Sequence, residues 1–259
     1  MTLSVAIITK NEGHNIDLCL KSVSFADEVI VLDSNSTDDT AQIARKYGAK
    51  VFLSSDWKGF GAEKNKALGL CSGDWVLSLD ADERIPESLK EEIQTAIKRV
   101  DVVAFEIPRL SWYCGRFMNH SGWHPDYVTR LFRKGQARFS DHLVHEKLIC
   151  GRPIMRLRNS IIHLSFPNFE CVLEKMNNYS SASARQMRLE GKTASLFTAL
   201  IHSSWTFLRT YFLRLGFLDG RHGLVLAISN AHGTYYRYLK LWFLSHNHAF
   251  ELKKDDDKK

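Results

Sequence analysis

Three apolar runs with polar or acidic tips constrain this chain more than anything else in it: Leu3 to Thr9 (LSVAIIT), Glu28 to Asp33 (EVIVLD) and Asp74 to Glu83 (DWVLSLDADE). Continuous runs of this kind read as strands buried on both faces, and such strands belong to parallel sheets covered by helices. The segments between them supply the helices. Asn15 can cap a helix through about Phe25, with Ile16, Leu20 and Val23 on its apolar face. The polar loop Ser34 to Thr40 leads into a helix over Ala41 to Tyr47, and Val51-Phe52-Leu53 makes a further strand. Gly59-Phe60-Gly61 opens a helix from Ala62 to Cys71, just before the strand of the third run. Strand and helix alternate four times, which predicts an α/β fold with a doubly wound, mostly parallel sheet flanked by helices.

In open α/β sheets ligands bind outside the carboxyl ends of the strands. The strand tips place Thr9 to Glu12, Asp33 and Asp80 to Asp82 along one such rim. Asp80 and Asp82, at the bend where the strand stops, suit an octahedral Mg²⁺ or Mn²⁺ that also touches a diphosphate. The competing reading is local: Asp82 and Glu83, ahead of Ile85-Pro86, would only cap the next helix and favour its dipole. GxGxxG and GxxxxGK[ST] are both absent, which weighs against dinucleotide and P-loop sites.

The 259 residues suffice for one α/β domain with an elaboration, or for two small domains. Five cysteines, an odd number with no CxxC spacing, argue against a disulfide framework or a zinc site and for a reducing compartment. MTLSVAIITKNE enters a strand at once without the features of a signal peptide, so the expected location is cytoplasmic. A net charge of +6 with a pI of about 9.0 invites a polyanionic partner: nucleic acid, anionic lipid or a phosphorylated substrate. No nucleic-acid motif is present, and a rim of acids repels phosphates unless a metal intervenes. Nucleic acid is therefore not the expected partner.

Beyond the helix Glu87 to Arg99 and a strand over Val102 to Ile107 the pattern loosens. Trp112 to Thr129 carries five aromatics with no clean period, as packing or sugar-binding stretches do. Val128 to Arg133 and Ala137 to Phe139 read as a hairpin about Lys134-Gly135. The cluster that follows, SDHLVHE, offers Asp141, His145 and Glu146 as general-base candidates for a hydroxyl nucleophile.

Phe169 to Gly191 reads as a helix, and Thr193 to Leu208 then runs without Asp, Glu, Lys or Arg before Arg209 and Arg214. A second uncharged run covers Gly223 to Tyr236. Both are shorter than the roughly twenty apolar residues of a spanning helix. Aromatics beside arginines on helices suit in-plane binding to an anionic membrane surface, or else packing on the sheet or on a second subunit of an oligomer. The tail LKKDDDKK reads as a charged, low-complexity terminus.

Taken together, SVAIITKNE, EVIVLDSNSTDDT, GAEKNKAL, GDWVLSLDADE and VTRLFRKG with VHEKL resemble the family 2 inverting glycosyltransferases of the GT-A fold. More narrowly, they resemble the bacterial lipopolysaccharide-core glucosyltransferases that move glucose from UDP-glucose onto inner-core heptose in a β-1,4 linkage. The resemblance covers roughly Thr2 to Leu164. It implies that Thr9 and Glu12 approach the nucleotide base, that Asp33 binds uracil (with Ser34 where a second acid often stands), and that Lys64 and Asn65 lie near the base and diphosphate. Asp80 falls at the ribose acid and Asp82 at the ligand of a divalent metal, Mg²⁺ or Mn²⁺. Arg130 or Arg133 would add charge near the diphosphate, unless both are surface ion-pair residues. His145-Glu146 stands where many relatives carry an acidic pair ending in Asp, which leaves Glu146 as the preferred base and Asp141 as its competitor.

The expected organisation is a GT-A catalytic domain over 1–165, with a nucleotide-sugar half to about 100 and an acceptor half over 101–165. A helical membrane- or oligomer-facing extension follows over 166–249, then a charged tail over 250–259. The partners implied are a UDP-sugar donor and a lipid-anchored oligosaccharide acceptor at the inner face of the inner membrane. Alternatives are a transferase using another UDP-sugar on a lipid-linked acceptor, or a sugar-1-phosphate nucleotidyltransferase. The latter needs a Gly-rich basic loop after the first strand, and Lys10-Asn11-Glu12 does not supply one.

Overall fold

The computed structural model describes residues 1–140 and 148–246. The base candidates Asp141, His145 and Glu146, and the charged tail, lie outside the described residues. The chain divides into a sheet unit, Met1–Asn119 with Trp123–Pro167, and a helical unit formed by His120–Gly122 and the chain from Asn168 onward.

The sheet unit starts with β1 (Leu3–Thr9), α1 (Ile16–Ser22), β2 (Glu28–Asp33), α2 (Thr40–Lys46), β3 (Lys50–Leu53) and α3 (Phe60–Leu70). Next come β4 (Trp75–Asp80), the short β5 (Glu83–Arg84) and α4 (Glu87–Ala96). Its second half is β6 (Ala104–Tyr113), β7 (Arg116–Phe117), β8 (Asp126–Arg133), β9 (Ala137–Phe139), β10 (Leu148–Cys150), β11 (Ile154–Arg156) and β12 (Ile161–Phe166). The main sheet runs β3-β2-β1-β4-β8-β6-β12-β5. β3, β2, β1 and β4 are parallel throughout, and β8 enters antiparallel to both β4 and β6, so the sheet is mixed.

Side-chain alternation on these strands serves two cores. Val5, Ile7, Val31, Leu77 and Leu79 face one layer, where α1 (Ile16, Cys19, Leu20) and α4 (Leu89, Ile93) pack. Ala6, Ile30, Leu32 and Val76 face the other, against Ala67 of α3. With both faces covered, a strand is mostly apolar along its length, small hydrogen-bonded serines such as Ser4 excepted, which is why these runs lack the polar alternation of a half-exposed strand. Truncating one such core residue, Leu89 or Ile93, to Ala costs about 2–5 kcal/mol.

Two expectations change. β8 does not pair with β9: both its edges are taken, by β4 and β6, and β9 pairs instead with β10 in a separate two-stranded sheet. The turn at Lys134-Gly135 survives (Gln136 N to Arg133 O, 3.1 Å) without a ladder to extend it. The aromatic stretch after Trp112 is partly strand, because β6 continues to Tyr113, β7 folds back on it and β8 begins at Asp126. Tyr113, Trp123 and Phe166 there form a cluster of rings, so packing is what those three do.

The helical unit holds α5 (Phe169–Leu189), α6 (Leu196–Leu208) and α7 (Gly220–His246). Asn168 and Ser195 cap α5 and α6 by accepting from the Cys171 and Thr198 amides. A π-turn (Arg209–Leu213) and a 3₁₀ turn (Gly216–Asp219) join α6 to α7. Gly216 and Gly223 make that corner. A Cβ on Gly223 would stand 1.8 Å from the Gly216 carbonyl oxygen, an approach only glycine allows. Among the described residues no helix is long and apolar enough to cross a membrane.

Candidate functional site

β1 has β2 on one side and β4 on the other, and the chain order reverses there, which is where doubly wound sheets hold ligands. Register aligns the rim: Thr9 pairs with Asp33, and Ile8 with Asp80. The Ser34 amide bonds the Thr9 carbonyl (2.8 Å). Thr9 Oγ1 and Ser34 Oγ are buried and have no hydrogen-bond partner among the described residues. Buried polar atoms are nearly always satisfied, so two adjacent orphans at a strand tip mark places that a ligand's polar edge would fill. Asp33 is buried and closes its own loop, its two oxygens accepting from Ser36 Oγ (2.5 Å) and Ser36 N (2.9 Å). Glu12 accepts from the Asn15 side-chain amide (2.9 Å) while its own amide bonds Thr40 Oγ1 (2.8 Å), tying the first loop to the second.

Asp80 is the centre of an ionic cluster. Arg130 reaches Asp80 Oδ2 (2.5 Å) and Glu83 Oε1 (3.0 Å) with the same Nη2, and Lys64 Nζ lies 3.1 Å from Asp80 Oδ1. Glu83 also accepts from the Asp80 amide (2.9 Å), with Arg109 3.7 Å away. Lys64, Glu83 and Arg130 are all buried. Burial by itself would raise the Asp80 carboxyl, but Arg130 and Lys64 together outweigh it and hold Asp80 well below the usual carboxylate range. Burial likewise opposes the Arg130 charge, and Asp80 and Glu83 more than restore it, so Arg130 is raised. Asp80 is therefore a fixed anion at the rim, able to accept from a hydroxyl.

Asp82 lies outside this cluster. The helix α4 starts only at Glu87, behind Pro86, with no side-chain cap bond, so Asp82 is not a helix cap. The turn holding it is fastened by Arg84, which donates to the carbonyls of Ala81, Glu83 and Asn15 (2.7 Å each). β5 pairs antiparallel with β12, His163 opposite Glu83, and this carries His163 Nε2 to 3.4 Å from Asp82 Oδ2. Ser111 Oγ sits 3.1 Å from the other ring nitrogen, Nδ1. In the tautomer that carries its proton on Nδ1 toward Ser111, Nε2 would offer its lone pair to a cation beside Asp82. Neighbouring ligands of an octahedral ion at about 2.1 Å stand about 3 Å apart, so Asp82 and His163 fit two positions of one divalent ion. Among the described residues no third His, Cys, Asp or Glu joins them.

Of the residues singled out from sequence, the structure brings Lys64, Asp80 and Arg130 into one cluster, with Thr9 and Asp33 beside it on the rim. Asn65 is occupied elsewhere: its amide forms both backbone bonds of Phe139 (Nδ2 to O, 2.9 Å; N to Oδ1, 2.8 Å), pinning β9 to α3. Arg133 lies over the Trp75 ring and donates to the Val102 and Arg99 carbonyls, away from the rim. Sequence reading missed His163 and the buried hub Glu83. The signal for His163 was a lone imidazole inside the apolar strand IIHLSF, where a ring that can hydrogen-bond needs a partner.

The sequence profile of Glycosyl transferase family 2 matches residues 4–164. An uncharacterized glycosyltransferase of Rickettsia prowazekii, RP128, is 34% identical over 256 residues, covering 94% of this chain and 87% of that one. The lipopolysaccharide core biosynthesis glycosyltransferase LpsC of Rhizobium meliloti is 28% identical over 99% of this chain and 97% of its own. A crystal structure of glucosyl-3-phosphoglycerate synthase from Mycobacterium tuberculosis, in complex with Mn²⁺, UDP and glucosyl-3-phosphoglycerate, aligns at 29% identity. It covers 43% of this chain and 44% of that one with a TM-score of 0.36, a likeness too slight to argue from.

Proposed function

This chain belongs to glycosyl transferase family 2, and we propose that it transfers glucose from UDP-glucose, with inversion, onto the inner-core heptose of a lipid-anchored lipopolysaccharide precursor. The observation that carries this reading is the Asp82–His163 pair, set just beyond a strand tip whose own acid, Asp80, is ion-paired with Arg130 and Lys64. Asp80 is held by those two cations, while Asp82 stands beside an imidazole that, with it, offers an oxygen and a nitrogen donor to a divalent ion. The lipopolysaccharide side rests on the LpsC likeness along nearly the whole chain, and on a net charge of +6 that suits an anionic acceptor and membrane face. The reaction would take place at the inner face of the inner membrane.

Inversion is one in-line displacement. The acceptor oxygen bonds to the anomeric carbon as the bond to the diphosphate oxygen breaks, and the hydroxyl proton passes to a base. Glu146 is the preferred base, with Asp141 as competitor and His145 beside it. Thr9 and Ser34 hydroxyls and the Asp33 carboxylate would meet the polar edge of uracil. Asp80, kept ionised by Arg130 and Lys64, would accept from a ribose hydroxyl. Asp82 and His163 would hold Mg²⁺ or Mn²⁺, which when bound supplies Lewis-acid stabilisation of the leaving diphosphate. Of the two ions, an imidazole donor is better tolerated by Mn²⁺ than by the harder Mg²⁺.

The test is transfer by the purified chain from a panel of UDP-sugars to a truncated core acceptor, read by mass. UDP-glucose with Mn²⁺ should give the glucosylated product. Asp82→Ala should lose about a thousandfold in rate, since metal stabilisation of the leaving group amounts to several kcal/mol. His163→Ala should raise the Mn²⁺ needed for half-maximal rate by roughly tenfold or more. Neither hydrolysis nor transfer from any UDP-sugar, together with an Asp82→Ala protein that behaves as wild type, would sink the reading. Glu146→Gln and Asp141→Asn separate the base candidates: the base is the residue whose loss stops transfer with donor binding intact.

A further inference from the structure

The helical unit presents apolar side chains outward in a way that the sheet unit does not. On α6, Phe197, Ile201, Trp205 and Leu208 recur at helical spacing on one side, all exposed, with the buried Ala199 on the other. The corner between α6 and α7 adds Phe212, Leu213, Phe217 and Leu218, all exposed. Phe197 and Leu213 keep 72% and 66% of their surface, values a packed helix pair does not require.

Charge on the same segment has one sign. Between 193 and 246 the basic residues are Arg209, Arg214, Arg221, Arg237 and Lys240, and the sole acid is Asp219. Asp219 is fully buried, accepting from the His120 amide (3.0 Å) and Ser121 Oγ (3.0 Å). Every charged side chain that reaches solvent here is therefore cationic. Arg209, Arg214 and Arg221, all exposed, stand directly among the apolar residues of the corner.

We propose that the outer side of α6 and the corner through Arg221 form an in-plane docking surface for an anionic bilayer. Phenylalanine and leucine side chains enter the headgroup and acyl boundary, Trp205 sits at headgroup level, and the arginines meet lipid phosphates. A second copy of the chain is the poorer occupant. A two-fold contact through this patch would bring the Arg209, Arg214 and Arg221 cluster of one copy to that of the other, with no exposed acid between 193 and 246 to offset it. The surface deepens the membrane side of the reading above, and its test uses no sugar transfer, so either can fail alone.

The experiment is flotation of the full chain with vesicles of phosphatidylcholine, and of phosphatidylcholine mixed with phosphatidylglycerol. The chain should float with the mixed vesicles and largely stay behind with the neutral ones, and added salt should release it. Arg209→Gln combined with Arg221→Gln should lower the partition coefficient about 25-fold, roughly fivefold per arginine. Phe212→Ser with Leu213→Ser should abolish flotation while the helical circular dichroism and melting stay as in wild type. Phe197→Ser, on α6 and outside the corner, is the second variant should the pair misfold. Wild type that ignores anionic vesicles, or variants that bind them as well as wild type, would overturn the proposal. So would self-association in sedimentation that Leu213→Ser breaks, since the face would then be an interface between copies.

Discussion

In the sheet unit, Lys64, Glu83 and Arg130 are drawn inside and paired, while the apolar side chains fill two cores. In the helical unit the one acid between 193 and 246 is inside, while leucines and phenylalanines stand outside among arginines. Buried ions are costly unless fully paired, so a cluster of them marks a place where the fold has been constrained for a ligand. Exposed leucines cost the folded chain little and report a surface meant for something else. One unit shows its task through what it hides and the other through what it leaves uncovered.

That contrast can be broken at its strongest point. Glu83→Ala removes one of the two carboxylates that compensate buried Arg130, and should destabilise the protein by about 3–5 kcal/mol, read as a lower midpoint in urea at unchanged slope. A change under about 1 kcal/mol would mean the cluster is wetter than its geometry implies, and the distinction between the units would weaken. A smaller effect belongs to the helical corner. Gly223→Ala forces a Cβ against the Gly216 carbonyl and should cost about 1–3 kcal/mol, confined to α7 and its corner in hydrogen exchange, with β1 and β4 protected as before.

The mildest test concerns pH. Glu28 is lowered from 4.5 to about 2: burial pushes it up, but hydrogen bonds from Lys50, Ser4 and Ser72 prevail. A carboxyl depressed on folding stabilises fully above its unfolded pKa and loses that contribution as pH falls through the folded one. Glu28→Gln should therefore be less stable than wild type at neutral pH, the gap closing between pH 4.5 and about 2. A gap that stays constant down to pH 2 would show that the bonds matter for shape and not for charge.

The parallel half of the sheet was legible almost residue for residue: LSVAIIT and EVIVLD are β1 and β2 as read. A strand buried on both faces has little freedom to be polar, so its limits are written locally. The rim acids were legible for the same reason, since polarity resumes where the apolar run ends. Glu83 was misjudged because its neighbours in sequence suggest a helix start, whereas its partners Arg130 and Arg109 come from β8 and β6. His163 reaches Asp82 only through the β5–β12 pairing, a register that no local pattern encodes. The β8–β9 hairpin failed likewise: a good turn sequence does not reveal that both edges of β8 are already taken.

The helical unit is not one continuous length of chain, because His120–Gly122 belongs to it. Its three residues meet Asp219 through the His120 amide and ring and the Ser121 hydroxyl, and give an amide to the Arg214 carbonyl (2.8 Å). A fragment beginning after Pro167 would keep every helix and still lose them, at a cost of about 1–3 kcal/mol for each buried acceptor left short. The unit therefore cannot be lifted out and grafted onto another catalytic domain by a single cut. Recombination that kept the fold would have to carry the 120–122 segment along with it, so the pair of units behaves as one heritable piece.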